Sequence, residues 1–405
     1  MRQAIIAPEH ERRVPIAVLA AAFLFNLGQG VLRPSMPLYM QKTFAANYSM
    51  VTLIPVVFGA GKWIANLPAG YLLGRRGRPL MICGLLVVAL VDVASVVTSR
   101  YDVFLGLRAL GGVGWAMFAT VATTTTVSLA LGHRRGRAVS LLLMSETSGL
   151  LLGSAAGGWL YQGVGVASPF LFEAACMVLA TAAAAGWSSS TASAPMTPHQ
   201  RHDRLLLSVV LHTPGVLIMG VTSSLLIAIQ TGILVFLFPL YLVKRGGLDP
   251  EGVGFLVSLG VLGRLIALWL GGSASDRWGR MHVLVPGLLV YAALLGSMPL
   301  LTHPGILGVY SFGIGAASGF VATIPTALTS DQVEHALQGV AIGWLRTMTD
   351  GGQIIGPLLM GALADAVDLS APFLIGAVLL AATAWLCHRR SNVMSLRAIP
   401  RGRDR

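Results

Sequence analysis

The chain has 405 residues and a formal net charge of +12, yet only 11% of its residues are charged and 55% are hydrophobic. Soluble proteins carry about 25% charged residues, so water is not the main solvent of this one. The basic residues sit in short breaks between apolar runs rather than among aromatics on a solvated surface, which excludes a nucleic-acid binder.

Roughly twenty consecutive apolar residues cross a hydrocarbon core about 30 Å thick. Twelve such runs follow one another, at 15–40, 49–73, 79–99, 102–129, 138–162, 168–187, 208–243, 250–275, 281–301, 304–329, 336–363 and 370–388, here spans 1 to 12. Span 1 is too long for a signal-peptide core and is followed by further spans, so it reads as a retained helix. Its residues Asn26, Gln29, Gly30 and Arg33 fall at i, i+3, i+4 and i+7, one polar stripe along a helix. Asn26, Gln29 and Arg33 are candidate substrate contacts, with Arg33 either facing a cavity or reaching headgroups.

An ionisable side chain at mid-bilayer costs at least about 2.5–3.5 kcal/mol, so each one needs a reason. Span 2 carries Lys62, span 3 Asp92, span 4 Arg108, span 5 Glu146, span 8 Arg264, and span 11 Arg346 and Asp350, with Glu173 of span 6 nearer the outer surface. Arg108 stays protonated, so it can hold an anion or favour ionisation of a nearby carboxylate but cannot carry a proton. Glu146 shares a face with Gly149, Gly153 and Gly157, where small residues let another helix approach. Arg346, Asp350 and Gln353 share a face at i, i+4 and i+7, so Asp350 is either ion-paired to Arg346 or a proton or substrate site. Asp92 has no evident partner and ranks below Glu146 and Asp350. Cys83, Cys176 and Cys387 stand singly in apolar segments, without metal spacing, and read as packing residues. No cofactor is implied.

With the amino terminus inside, the cytoplasmic segments hold 19 of the 28 basic residues: Arg2, Arg12 and Arg13; Arg75, Arg76 and Arg78; Arg134, Arg135 and Arg137; Arg201 and Arg204; Arg277 and Arg280; and six after residue 388. Only Lys42, Arg100, Lys244 and Arg245 fall outside. Short basic loops stay cytoplasmic, so both termini are expected inside, in a multi-pass protein of the inner (plasma) membrane.

The chain also repeats itself. "GYLLGRRGRP" (70–79) and "GSASDRWGRM" (272–281) share Gly-x-x-x-(Gly or Asp)-Arg-x-Gly-Arg. The offset of 202 that relates Gly74 to Asp276 also relates "PLYM" (37–40) to "PLYL" (239–242) and Lys62 to Arg264, while "GLLLGS" (149–154) and "GQIIGP" (352–357) are 203 apart. By the same offset Tyr310 of span 10 corresponds to Arg108 and is a further candidate substrate contact. The expected organisation is a six-helix bundle over 1–187, a polar cytoplasmic linker over 188–207, and a second bundle over 208–405 ending in a basic tail. Duplicated halves with a site between them are the architecture of alternating-access carriers.

On these landmarks the chain resembles the major facilitator superfamily over nearly its whole length. "RALGGVG" at Arg108 is similar to that family's fourth-helix pattern, "LGQGVLRPSMP" (27–37) to the first-helix signature of the 12-helix drug:proton antiporter branch, and "GLLLGSAAGG" (149–158) to its fifth-helix signature. The sequence departs from the pattern at Gly74, where the family usually has Asp, and at Ser154, where the antiporter signature has Pro.

The resemblance implies an all-α membrane protein of twelve transmembrane helices in two pseudo-symmetric six-helix bundles. It links Arg108 to proton coupling; with the helical spacing, the candidates for proton coupling are Glu146, Asp350 and Arg108, and those for substrate contact are Asn26, Gln29, Arg33, Arg108, Tyr310, Arg346 and Asp350. It places span 5 beside span 8, which makes a Glu146–Arg264 pair an expectation. Gating falls to Lys62, Gly70, Gly77, Arg78, Arg264, Gly272, Asp276, Arg277, Gly279 and Arg280, with Asp276 latching onto the start of span 5 near Arg137.

The expected function is proton-coupled efflux of small amphipathic or lipid-like compounds by a monomer whose partners are substrate, protons and lipid. Uptake of an anionic metabolite and a non-transporting sensor stay open. An intramembrane enzyme is disfavoured: no HExxH, credible Ser/His or Cys/His constellation, Walker loop or dinucleotide fingerprint occurs, and His133, His199, His202 and His388 sit in loops or ends.

Overall fold

A computed structural model describes residues 16–129, 135–186, 213–333 and 337–396; the side chains of 67, 70–76, 127–129, 135–139, 339 and 391–396 fall outside that description. The expected linker at 188–207, Gly74, Arg137 and most of the basic terminal and loop residues therefore lie outside the described residues or side chains.

Every described element is helical. Span 1 is Ile16–Phe44, span 4 Tyr101–Leu129, span 5 Arg135–Trp159 and span 6 Ser168–Ala185. Span 8 is Pro250–Trp278, span 9 Arg280–Ser297, span 10 Pro304–Ala322 followed by Ile324–Asp331, span 11 Gln338–Ala366 and span 12 Ala371–Leu396. Ten stretches of described residues are long and apolar enough to cross a membrane. The remaining two, spans 5 and 11, pack along spans 1 and 7.

Spans 2 and 3 form one helical stretch, Tyr48–Val97, where the sequence predicts two helices and a turn. It folds back on itself, because the Tyr101 hydroxyl, four residues past its end, donates to Met50 O at its start (2.8 Å). The reversal lies between Asn66 and Gly77, the two ends of the apolar stretches. Helical geometry thus continues where a break is expected, through both Gly70 and Gly77. The matching turn of the second half does break: Gly279 has φ +90°, a left-handed value that glycine adopts without strain, and it separates span 8 from span 9.

Span 7 is regular over Pro214–Ala228, widens to one extra residue per turn over Ile229–Leu237, and ends as Phe238–Lys244. Pro239 supplies no N–H and its ring crowds the carbonyl four residues back, so a regular ladder is not available there. Widened turns of this kind re-aim side chains. Here the stretch contains Gln230 and Thr231, which face the central cavity.

Packing repeats between the halves as the sequence offset requires. A Cβ at Gly149, Gly153 or Gly157 of span 5 would run into Phe23 O, Leu27 O or Val31 O of span 1; one at Gly352 or Gly356 of span 11 would meet Ser224 O or Ala228 of span 7. The side-chain-free faces let the backbones touch, which is how helices associate where lipid supplies no hydrophobic drive. Tyr39 bonds Ser95 O (3.2 Å) and meets the Phe170 ring at 4.7 Å; Tyr241 bonds Met298 O (3.0 Å) and meets Phe373 at 5.1 Å.

The halves meet most visibly at the end that carries the 45–47 and 245–249 connections. Asp365 of span 11 accepts from Tyr48 N and Ser49 N (2.9 and 2.7 Å), and Gln162 accepts from Glu251 N (3.1 Å). Lys244 donates to the Tyr48 hydroxyl (2.9 Å). An apolar plug beneath joins Leu32, Met36 and Ile54 to Phe236 and Leu240 of span 7.

Candidate functional site

Below that seal a cavity of about 380 Å³ opens between the halves, lined by residues of spans 1, 5, 7, 8, 10 and 11. Spans 7, 8 and 10 supply most of the wall: Ile227, Leu234, Val257, Val261 and Ile314 form apolar surface, and Gln230, Thr231, Ser311 and Ser318 form polar points. Arg33 of span 1 and Arg264 of span 8 enter it from the two halves. Arg264 Nη1 donates to Gln230 Oε1 (2.5 Å). A second space of about 220 Å³ shares Arg264, Gln230 and Ser318, and a third of about 150 Å³ shares Arg33, Thr231 and Gln353 and is also lined by Gln29 and Arg108. Among the described residues, no carboxylate lines any of the three. The size suits a small organic molecule, and the chemistry is apolar wall with cationic points.

Gln29 and Arg108 have a second side. Behind them lie Asp92 of span 3 and Glu173 of span 6, both 0% exposed, with Arg108 itself 6% exposed. Arg108 Nη2 donates to Asp92 Oδ1 (2.9 Å) and Ser95 Oγ (2.7 Å), and its guanidinium lies over the Phe104 and Phe170 rings at 5.4 and 5.5 Å. Gln29 Nε2 donates to Glu173 Oε1 (2.5 Å). The spacing that joins them is helical: Asp92 and Ser95 are i and i+3 on one face, opposite Arg108 on the antiparallel span 4.

A third group lies between the halves. Lys62 Nζ is 3.7 Å from Asp350 Oδ1, donates to Gln353 Oε1 (3.2 Å) and sits 4.6 Å from the centre of the Trp115 ring.

Several sequence expectations are met differently by the fold. Glu146 makes no pair with Arg264, whose guanidinium takes Gln230 instead. Glu146 stands one helical turn from Leu150, which faces the cavity, and is not itself among the lining residues. Asp350 pairs across the interface with Lys62, and Arg346 is exposed. Asn26 returns its amide to Ala22 O of its own helix (3.0 Å), and Tyr310 accepts from Ser297 of span 9 (3.3 Å), so neither lines the cavity.

The turn residues also find local partners. Asp276 pairs with Arg280 (3.0 Å), which also bonds Asp331, and Arg78 donates to Ala185 O. Arg277 is exposed, and a Cβ at Gly272 would meet open space. Asp92, Ser95, Glu173 and Gln230 are the functional-site residues that sequence reasoning undervalued. The signal for the two acids was present, as ionisable groups within apolar spans, but their partners sit on other helices.

Twelve helices, a repeated pair of bundles and a cavity between them define a membrane carrier rather than an enzyme. The Major Facilitator Superfamily model matches residues 18–253 and again 220–401, and the chain belongs to that family. It is 26% identical over 404 residues to the multidrug resistance protein MdtG of Escherichia coli O9:H4 (strain HS), covering 95% of this chain and 97% of that one. The MdtG protein of Citrobacter koseri is 26% identical over 382 residues, 91% and 92% of the two chains. Among solved structures, the peptide transporter POT in complex with sulfate superposes with a TM-score of 0.78 at 13% identity, covering 97% of each chain. The nucleoside transporter NupG gives 0.73 at 12%, covering 93% of this chain and 98% of that one. The protein is a multi-pass membrane transporter of the major facilitator fold.

Proposed function

We propose that this transporter exports small amphipathic compounds across the inner membrane in exchange for protons, and that its cavity favours those bearing an anionic group. One observation carries the ligand class: Arg33 and Arg264 enter one largely apolar cavity that no carboxylate lines. Two like charges in such a site repel until an anion arrives, and a charge-assisted hydrogen bond to each holds it. Export is supported by the names of the relatives, both multidrug resistance proteins. The two bundles, 1–187 and 208–405, rock about this cavity, and the linker at 188–207 and both termini lie in the cytoplasm. The end sealed by Asp365 and Gln162 is then the outer face, and the Lys62–Asp350 pair is a contact that the rocking motion must break.

The test uses two permanently charged probes of equal chain length, hexanesulfonate and hexyltrimethylammonium. In proteoliposomes of the full chain loaded with hexanesulfonate, an acid-outside pH gradient should drive the probe out; accumulation under the same gradient would mean uptake by symport. Binding without flux would make the protein a sensor. Arg33→Gln and Arg264→Gln should each weaken hexanesulfonate binding about tenfold or more, since a charged hydrogen bond is worth about 1.5–3 kcal/mol. Equal affinity for both probes, unchanged in either variant, would overturn the anion preference.

A further inference from the structure

The cavity explains Arg33 and Arg264 but leaves the charges behind it unused. Asp92, Arg108 and Glu173 bring two carboxyl groups and one guanidinium into a volume shut off from solvent by three helices of the first bundle. Arg108 satisfies Asp92 Oδ1 and Gln29 satisfies Glu173 Oε1. The other two oxygens, Asp92 Oδ2 and Glu173 Oε2, have no donor side chain or backbone group, although both are buried. The two carboxyl groups are close enough to interact directly. Two ionised carboxylates cannot share such a site, and an orphaned buried acceptor is costly, so one proton between them resolves both problems.

We infer that Asp92 and Glu173 form the proton-carrying site of the transport cycle, holding one proton between Glu173 Oε2 and Asp92 Oδ2. Asp92 keeps its charge because Arg108 faces it, and Glu173, whose partner is the neutral amide of Gln29, carries the proton. With that proton the cluster is neutral: one guanidinium, one carboxylate, one carboxylic acid. Losing it leaves one negative charge buried without a cation. The other groups facing the pair are Ser95 on span 3, Tyr39 on span 1, whose hydroxyl is tied to Ser95 O, and Cys176 on span 6. None of them supplies a second positive charge.

The same two side chains that hold the acids, Gln29 and Arg108, line the cavity on their other side. The proton on the pair and a ligand in the cavity thus act on the same two side chains, and the acids never touch the ligand. The inference deepens the proton-coupled reading above and rests on it.

The experiment compares wild type, Asp92→Asn and Glu173→Gln as full-length chains in proteoliposomes, with hexanesulfonate as the probe. Two rates are read: gradient-driven efflux, and probe exchange without a gradient. Both variants should lose gradient-driven efflux at least tenfold while exchange stays within about threefold of wild type. Wild type driven by the gradient, with both variants driven equally well, would overturn the assignment and leave proton coupling standing on another residue. Wild type that exchanges probe but ignores the gradient would overturn the coupled reading and this assignment together.

Because either substitution can impair folding, infrared spectra of the wild-type protein give a second reading. The carbonyl stretch of a protonated, non-exchanging carboxylic acid should be present at neutral pH. Its absence at every pH that keeps the protein folded would overturn the shared proton.

Discussion

The two bundles share a scaffold and differ in what they bury. Counting 202 or 203 residues on from Asp92, Arg108 and Glu173 leads to Leu294, Tyr310 and Gly376. The amino-terminal bundle thus encloses two acids and an arginine where the carboxy-terminal bundle has a half-buried leucine, a half-buried tyrosine that accepts from Ser297, and a glycine packed against Leu295 and Ile233. Yet the surrounding contacts are conserved between the halves: Tyr39 and Tyr241 use their hydroxyls alike, and both meet a phenylalanine of the last helix of their bundle. The lesson is a division of labour. Packing is duplicated because both halves must rock on the same seams, whereas the cluster of fully buried acids with its arginine is placed once, since each ionisable group in lipid is expensive and only a working one is retained.

The largest expected effect breaks that difference directly. Arg108→Met removes the one cation facing Asp92 and leaves a buried charge unpaired, a loss of about 3–5 kcal/mol. Thermal melting in detergent should show it, with Tyr310→Phe at the matching position shifting stability by only about 0.5–1 kcal/mol for its single long hydrogen bond. Equal effects would mean the halves are not specialised. Where packing is duplicated, the halves should instead respond alike: Gly153→Val and Gly356→Val each push a side chain into a neighbouring helix, and each should destabilise by about 1–3 kcal/mol.

A smaller effect concerns the seal. Asp365 and Gln162 are 203 residues apart, as Ser49 and Glu251 are 202 apart, so the bonds Ser49 N to Asp365 and Glu251 N to Gln162 are one latch made twice. One copy puts a carboxylate at a helix amino end and the other puts an amide there. Asp365→Asn makes them alike and should weaken the seal by about 0.3–1 kcal/mol, the value of an anion at that end. Distances between spin labels on spans 2 and 11 should then report more of the form open at that end; Gln162→Glu should do the reverse.

The smallest effect is at the surface, where Arg245 and Asp368 pair at 3.1 Å with half of each side chain exposed. Hydrogen bonding from Ser370 holds the Asp368 carboxyl below the usual carboxylate range. A depressed carboxyl contributes stability that is present above its ordinary value and is lost as pH falls through the lower folded one. For an exposed pair that contribution is at most about 1 kcal/mol, so Asp368→Asn should flatten the acid limb of a melting-temperature profile only slightly.

Much of the architecture is legible along the chain. Apolar length marks the spans, the repeated offset marks the halves, and the glycines of spans 5 and 11 mark the seams, because each is a one-dimensional signal of a local requirement. The site is legible only in part. Arg33, Gln29, Arg108 and Arg264 stand out as polar groups in lipid, and all four reach the cavity system. Helical spacing tells which face of its own helix a side chain occupies, but not which helix that face meets or at what height. Glu146 therefore looks like a partner for Arg264 and is not, and Asp92 looks partnerless and is bound to Arg108.

By itself, then, the sequence determined that this is a twice-built membrane bundle with more positive than negative charge in its interior, because hydrocarbon thickness and the insertion penalty for charge act on each segment separately. Only the tertiary structure decided that the acids Asp92 and Glu173 stand together behind Gln29 and Arg108, and that the cavity in front of them is free of carboxylates. That decision belongs to helix rotation and crossing, which are set by close backbone contacts between segments far apart in the chain.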